Sequence, residues 1–230
     1  VLFRSGQAIP GRTEGRGIGI IDTARLIGMV DSVGLLRSSN AWSEADHRQL
    51  QKWFRAYTQW LLESSHGKDE ANTRNNHAVW YDAQVATFAL FVDDRSTAKQ
   101  VLQQVGPRRI AKQIEPDGRM PHELARTKSF SYTSMNLRGF VTLARLADNV
   151  DVDLWGYHSV DGRSIERALD WLEPFVSGQK KWTFKQIASF DPSSASLLYR
   201  RAARRLDKPA FRRLGASVED PVEMLLWPAP

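Results

Sequence analysis

Apolar residues in this chain recur at three- and four-residue intervals, and no run of alternating β-branched residues interrupts them. That pattern confines the chain to packing helices against helices, with little or no sheet. The clearest stretch is Leu50, Trp53, Phe54, Tyr57, Trp60 and Leu61, which lines one helical face with large side chains. Ser43 can cap this helix, and Glu44 and Asp46 fall in its first turn, where the helix dipole favours negative charge. Gly67 reads as its stop. Ala78 to Val92 is apolar nearly all round, the mark of a buried helix. Further helices are predicted over Ile20 to Leu36, over Ser96 to Val105 with a break at Gly106-Pro107 and a resumption to Ile114, over Tyr132 to Ala147, over Asp161 to Val176 and over Ser193 to Leu206. The expectation is about seven helices, with polar segments at Glu70 to His77 and Glu115 to Ser131 left as loops.

Composition excludes several classes. Hydrophobic residues make up 42% and charged residues 25%, which is ordinary for a folded globular chain and rules out wholesale disorder. No stretch reaches the roughly 18 consecutive apolar residues of a membrane span. The absence of cysteine excludes disulfides and thiolate metal sites. His47, His66 and His158 stand apart from other ligand types, so no metal site and no cofactor are expected. The net charge of +6 fits a polyanionic partner, whether nucleic acid or acidic polysaccharide, and equally a basic surface with no partner. Much of the excess lies in Arg200, Arg201, Arg204, Arg205, Lys208, Arg212 and Arg213, a run that a solvated helix face explains as well as a binding site does. Val1-Leu2-Phe3-Arg4-Ser5 reads as a non-native leader ahead of an N-terminally truncated protein, with residues 6–230 forming a single domain.

Two segments carry candidate chemistry. Asn75-Asn76-His77-Ala78-Val79-Trp80-Tyr81-Asp82 lies where a polar loop meets the buried helix. Asparagine there caps a helix and histidine there packs in a core; a helix N-terminus with an amide and an imidazole also receives a carboxylate. The second segment runs from Asp117-Gly118 through Arg119, Pro121, His122, Glu123, Arg126 and Lys128 to Tyr132. Alone it reads equally as a surface loop with solvated cations.

Taken in order and spacing, Asn75-Asn76-His77-x-x-Trp80-Tyr81-Asp82 and, about 40 residues on, Asp117-Gly118-x-x-Pro121-x-Glu123-Leu124-Ala125-Arg126-Thr127 with Tyr132 resemble the alginate lyase domain of polysaccharide lyase families 5 and 38. Gly15-Arg16-Gly17, Trp53-Phe54, Trp60-Leu61 and Asp153-Leu154-Trp155 extend the resemblance more weakly, over roughly Gly11 to Val176. One departure is Ala78, where related sequences often carry glycine. The resemblance implies an all-α fold, an (α/α) toroid or incomplete helical barrel that lacks its upstream helices. It also implies a periplasmic or secreted enzyme that cleaves a uronic-acid polymer by β-elimination. Asn76, His77, Arg126 and Tyr132 take the catalytic positions. The partner it implies is an acidic polysaccharide (alginate, polymannuronate or glucuronan), with no nucleic acid and no membrane.

The chemistry requires these residue types. A carbanion beside a carboxylate is unfavourable unless that charge is neutralised, a task suited to Asn76 and Arg126. Histidine changes charge near neutral pH, so His77 can take the C5 proton. A tyrosine serves as a base only where a cation favours its phenolate, and Arg126 and Lys128 lie close in sequence to Tyr132. For anti elimination, His77 is base and Tyr132 acid; for syn elimination, Tyr132 serves as both. Candidate substrate-binding residues are Asn75, Arg16, Trp80, Tyr81, His122 and Lys128. Two other readings stay open: a hydrolase, which would need two positioned carboxylates from Asp82, Asp117 and Glu123, and a non-catalytic module binding acidic polysaccharide or nucleic acid.

Overall fold

A computed structural model of the protein describes residues 6–217 and Pro221; the expected leader, residues 1–5, lies outside the described residues. The fold is all-α: among the described residues the only β pairings are isolated bridges between Ile9 and Thr13 and between Lys128 and Gln186. No described helix is long and apolar enough to cross a membrane. The described residues fall into two compact units, one drawn from Val1–Gln103 and Leu146–Val152, the other from Gln104–Arg145 and Asp153–Pro230.

In the first unit a 3₁₀ helix (Gly17–Arg25) leads into α1 (Leu26–Leu36), followed by α2 (Glu44–Glu63), α3 (Ser65–Ala71), α4 (Asn76–Phe91) and the start of α5 (Arg95–Val105). The 3₁₀ helix, α1, α2 and α3 all pack on α4. Its apolar residues face every direction, and Ala78, Val79, Ala83, Val85, Ala86, Phe88 and Ala89 are buried. Phe54 of α2 stacks against Phe88 with ring centroids 4.7 Å apart, and Tyr57 lies 5.8 Å from the same ring.

The Ser43 cap forms as expected. Its hydroxyl accepts from the Asp46 N–H at 3.1 Å, and Asp46 accepts in return from Ser43, which holds the Asp46 carboxyl below its usual range. The expected stop at Gly67 is corrected. Helix α2 ends at Ser64, which is extended and whose hydroxyl accepts from the Gly67 N–H to cap α3. Gly67 lies inside α3 because a Cβ there would collide with the Leu61 carbonyl: the residue lets two consecutive helices approach closely rather than ending one. Helix α3 also shortens the expected polar loop.

In the second unit the break at Gly106-Pro107 is a widened turn instead. Gly106–Ile110 is π-helical and joins α5 to α6 (Ala111–Gln113), because Pro107 offers no N–H to the helical ladder and its ring crowds the preceding turn. The expected loop before Tyr132 contains a one-turn helix, α7 (Pro121–Leu124), and α8 (Ser129–Asp148) begins three residues early. Then come α9 (Ile165–Val176), a 3₁₀ turn (Pro192–Ala195), α10 (Ser196–Ala202) and α11 (Pro209–Gly215). The helix expected to reach Leu206 stops at Ala202, and α11 starts afresh at Pro209, which cannot continue a helix but opens one well. The basic run around it is partly consumed by ion pairs: Lys208 with Glu166 and Asp170 at 2.6 Å each, and Arg212 with Asp207.

Replacing Gly67 by alanine is expected to destabilise the protein by about 2 kcal/mol, or roughly 4–8 °C in Tm, despite alanine's better helix propensity. Thermal unfolding followed by circular dichroism checks this; an unchanged or raised Tm would show that α2 and α3 can separate freely.

Candidate active site

Burial of α4 fixes where its first turn emerges. The Asn75 side chain caps the helix by accepting from the His77 N–H at 3.3 Å, and Asn76 is fully buried behind it. The His77 ring, with 16% of its side chain exposed, meets a carboxylate that the sequence pattern did not single out. Glu70, from the last turn of α3, is 0% exposed, and its two oxygens lie 3.0 and 3.2 Å from His77 Nδ1. A buried carboxylate is costly unless a donor meets it. With Glu70 ionised, its carboxylate can only accept, which puts the proton of a neutral His77 ring on Nδ1 and leaves Nε2 as the basic nitrogen.

A second polar chain lies nearby. Thr23 Oγ1 is 2.7 Å from Tyr57 Oη, 2.6 Å from Gln84 Oε1 and 2.7 Å from the Ile20 carbonyl, tying the 3₁₀ helix to α2 and α4. Burial pushes the Tyr57 phenol above its usual value, the Thr23 hydrogen bond opposes this, and the negative charge of Glu70 adds to the rise. The other residues expected in this unit are spread around the site. Arg16 is exposed, and its Nε donates to Gln7 Oε1 at 2.7 Å. The next residue, Gly17, is buried where a Cβ would meet the Asp69 side chain, one position before Glu70. Trp80 is half-buried. Tyr81 is buried, and its hydroxyl donates to the Leu61 carbonyl at 2.8 Å.

In the second unit Arg126 lies two residues past the end of α7, and Tyr132 lies in the first turn of α8. The structure brings these two together: the Arg126 guanidinium carbon is 3.9 Å from the centroid of the Tyr132 ring. A guanidinium held over a ring through its face keeps its edge N–H groups for other partners. His122 and Lys128 are exposed, while Glu123 is fully buried. The start of α8 is held by a strap from residues 182–187. The Ser129 N–H and hydroxyl donate to the Lys185 carbonyl at 3.1 and 2.7 Å. The Ile187 N–H donates to the Thr127 carbonyl at 3.0 Å. The Phe130 N–H donates to Gln186 Oε1 at 3.1 Å, and Trp182 Nε1 donates to Ser129 Oγ at 3.0 Å. The sequence reading missed Glu70 and this strap; neither carries a periodic signal.

A family model for alginate lyase matches residues 3–182. The chain belongs to the alginate lyase family. A crystal structure of an alginate lyase from Bacteroides ovatus is 33% identical and superposes with a TM-score of 0.88 over 96% of the chain. The chain spans 60% of the length of that alginate lyase. No curated protein matches the chain. The match to the family model ends at residue 182, before Phe184 to Ile187 of the strap, whereas the structural match covers 96% of the chain.

The Glu70 contact has a direct spectroscopic consequence. Nitrogen-15 NMR of the neutral His77 ring is expected to show the proton on Nδ1, and Glu70→Ala is expected to release the ring to the other tautomer. A wild-type ring protonated on Nε2 alone would contradict the assigned pairing.

Proposed function

We propose that the protein is a polysaccharide lyase that cleaves a uronate polymer, alginate or a close relative, by β-elimination. The observation that carries this reading is the Arg126 guanidinium stacked 3.9 Å over the Tyr132 ring, in a chain of the alginate lyase family. The stacking keeps a cation against the one group whose proton transfer both stereochemical courses require. It also leaves the guanidinium edge able to accept a carboxylate in bidentate fashion.

In the proposed reaction, Arg126 neutralises the uronate carboxylate, and the amide of Asn76, buried at the start of α4 in this structure, stabilises it as a hydrogen-bond donor. A base removes the C5 proton, the C–H electron pair becomes the C4=C5 double bond, the C4–O4 bond breaks, and the departing O4 takes a proton from an acid. Donors aimed at the developing enediolate contribute several kcal/mol in sites of this type. For anti elimination His77 is the base, through the Nε2 that the Glu70 contact leaves basic, and Tyr132 is the acid. For syn elimination Tyr132 gives back to O4 the proton it takes from C5. Asn75, Arg16, Trp80, Tyr81, His122 and Lys128 are the proposed contributors to substrate binding; of these, Tyr81 would act through the core it packs in. A polymeric substrate does not cross a membrane unaided, so we place the enzyme in the periplasm or outside the cell, which fractionation of producing cells checks.

Tyr132→Phe and His77→Ala are each expected to lower the rate on the preferred polymer by at least about 100-fold while leaving the helical circular dichroism unchanged. The assay is the rise in ultraviolet absorbance of the unsaturated uronate, on alginate, polymannuronate, polyguluronate and glucuronan. No rise on any of these polymers would sink the lyase reading. Retained activity in Tyr132→Phe would sink the mechanism alone.

A further inference from the structure

We infer that a groove in the second unit, lined by Glu115, Arg119, Pro121, Leu124, Ala125 and Phe184, is a saccharide subsite that holds one pyranose ring of an acidic polymer. The inference rests on the lyase reading for the identity of the polymer. The groove has a volume of about 460 Å³, within the roughly 300–1,000 Å³ typical of small-molecule sites. Its position is set by the chain: Ala125 is bonded to Arg126, so its Cα lies about 3.8 Å from that of the proposed carboxylate-binding residue.

The groove offers the two kinds of surface a sugar acid needs. Phe184 is an aromatic wall, half-buried and held from both sides. On one side Trp182 donates to Ser129, with its ring 5.2 Å from that of Phe184; on the other, the Lys185 carbonyl takes two hydrogen bonds from Ser129. Trp171 backs the ring at 6.0 Å. The face of a fixed aromatic ring carries partial negative charge and attracts the polarised C–H groups of a pyranose, at little entropic cost because the ring is already ordered. Pro121, Leu124 and Ala125 continue the apolar surface.

The polar side is equally pre-set. Glu115 to Arg119 is a closed turn in which the Glu115 N–H donates to the Arg119 carbonyl and the Gly118 N–H to the Glu115 carbonyl, each at 2.8 Å. Gly118 has φ +92°, and a Cβ there would strike the Arg167 carbonyl, so the turn tolerates only glycine. Asp117 accepts from Arg119 Nε at 2.6 Å and from its backbone N–H at 3.0 Å. That fixes one edge of the guanidinium and leaves its Nη groups without a partner among the described residues. Glu115, balanced by Arg163 at 3.5 Å, is placed to accept from sugar hydroxyls. A pyranose bearing both hydroxyls and a carboxylate uses the aromatic wall, Glu115 and Arg119; a neutral sugar leaves the Arg119 edge unused.

The test is calorimetric titration of the Tyr132→Phe variant, in which turnover is expected to be at least about 100-fold slower, with a defined uronate oligosaccharide. Adding Phe184→Ala or Arg119→Gln is expected to weaken binding roughly tenfold, and Phe184→Tyr is expected to keep it within about twofold. A neutral oligosaccharide of equal length is expected to bind at least about tenfold more weakly than the uronate, and to be indifferent to Arg119→Gln. Unchanged affinity in both the alanine and glutamine variants overturns the subsite. So does no binding of the oligosaccharide by the Tyr132→Phe parent. Specific, Arg119-dependent binding in a protein that forms no unsaturated product would retain the subsite and remove the lyase reading, so the two failures are distinguishable.

Discussion

Burial of α4 on every side is the constraint from which the first unit is built. A helix with apolar side chains all round can satisfy its surroundings only if other elements cover it completely, and the 3₁₀ helix, α1, α2 and α3 do so. Only its ends can then carry polar groups. At the N-terminal end the backbone N–H groups have no helical partner, so the chain places Asn75 there as a cap, with His77 one residue into the helix. The backbone at His77 is thereby immobilised by hydrophobic packing, and only the ring needs orienting. Glu70 does this from α3, a helix that reaches the same place because Gly67 lets it lie tightly against the end of α2. Close helix approach and imidazole orientation are thus two consequences of one packing arrangement.

The start of α8 is held by a different device. Arg126 and Tyr132 lie on either side of a helix beginning whose N–H groups are met by an irregular segment. The Lys185 carbonyl and the Gln186 side chain do for α8 what Asn75 does for α4. A strap of this kind fixes a helix end without burying it deeply, which leaves the Tyr132 ring half-exposed with a guanidinium over its face. The cation's stacking and its edge donors are directed at right angles, so holding the ring does not exhaust its capacity to bind a carboxylate.

The sequence showed what periodicity can encode. The helical class, the Ser43 cap, the buried α4 and the polar residues at its start all follow from apolar spacing and from the chemistry of helix ends. Gly67 misled because glycine has two uses, freedom in φ and absence of a side chain, and only contact with Leu61 distinguishes them. Glu70 was passed over because it sits in a short helix of polar residues, where spacing does not tell an inward carboxylate from a solvated one. Phe184 and Gln186 belong to a segment without regular structure, whose register against residues 127–130 is set by tertiary hydrogen bonds alone.

Net charge illustrates the same limit from the side of electrostatics. A count of +6 concentrates attention on the arginine-rich run near the C-terminal end, yet Lys208 and Arg212 there are neutralised by acids. Arg119 and Arg163 are also paired, with Asp117, Asp161 and Glu115. By contrast Lys180, Lys181 and Lys185, in or next to the strap, are exposed and have no acidic partner among the described residues. These three lysines flank the rings of Trp182 and Phe184. An acidic chain approaching the Phe184 groove therefore meets uncompensated positive charge on the segment that supplies its aromatic wall. Attraction of that kind acts over about a Debye length, roughly 8 Å at physiological salt, which is far enough to orient a polyanion before any short-range contact forms.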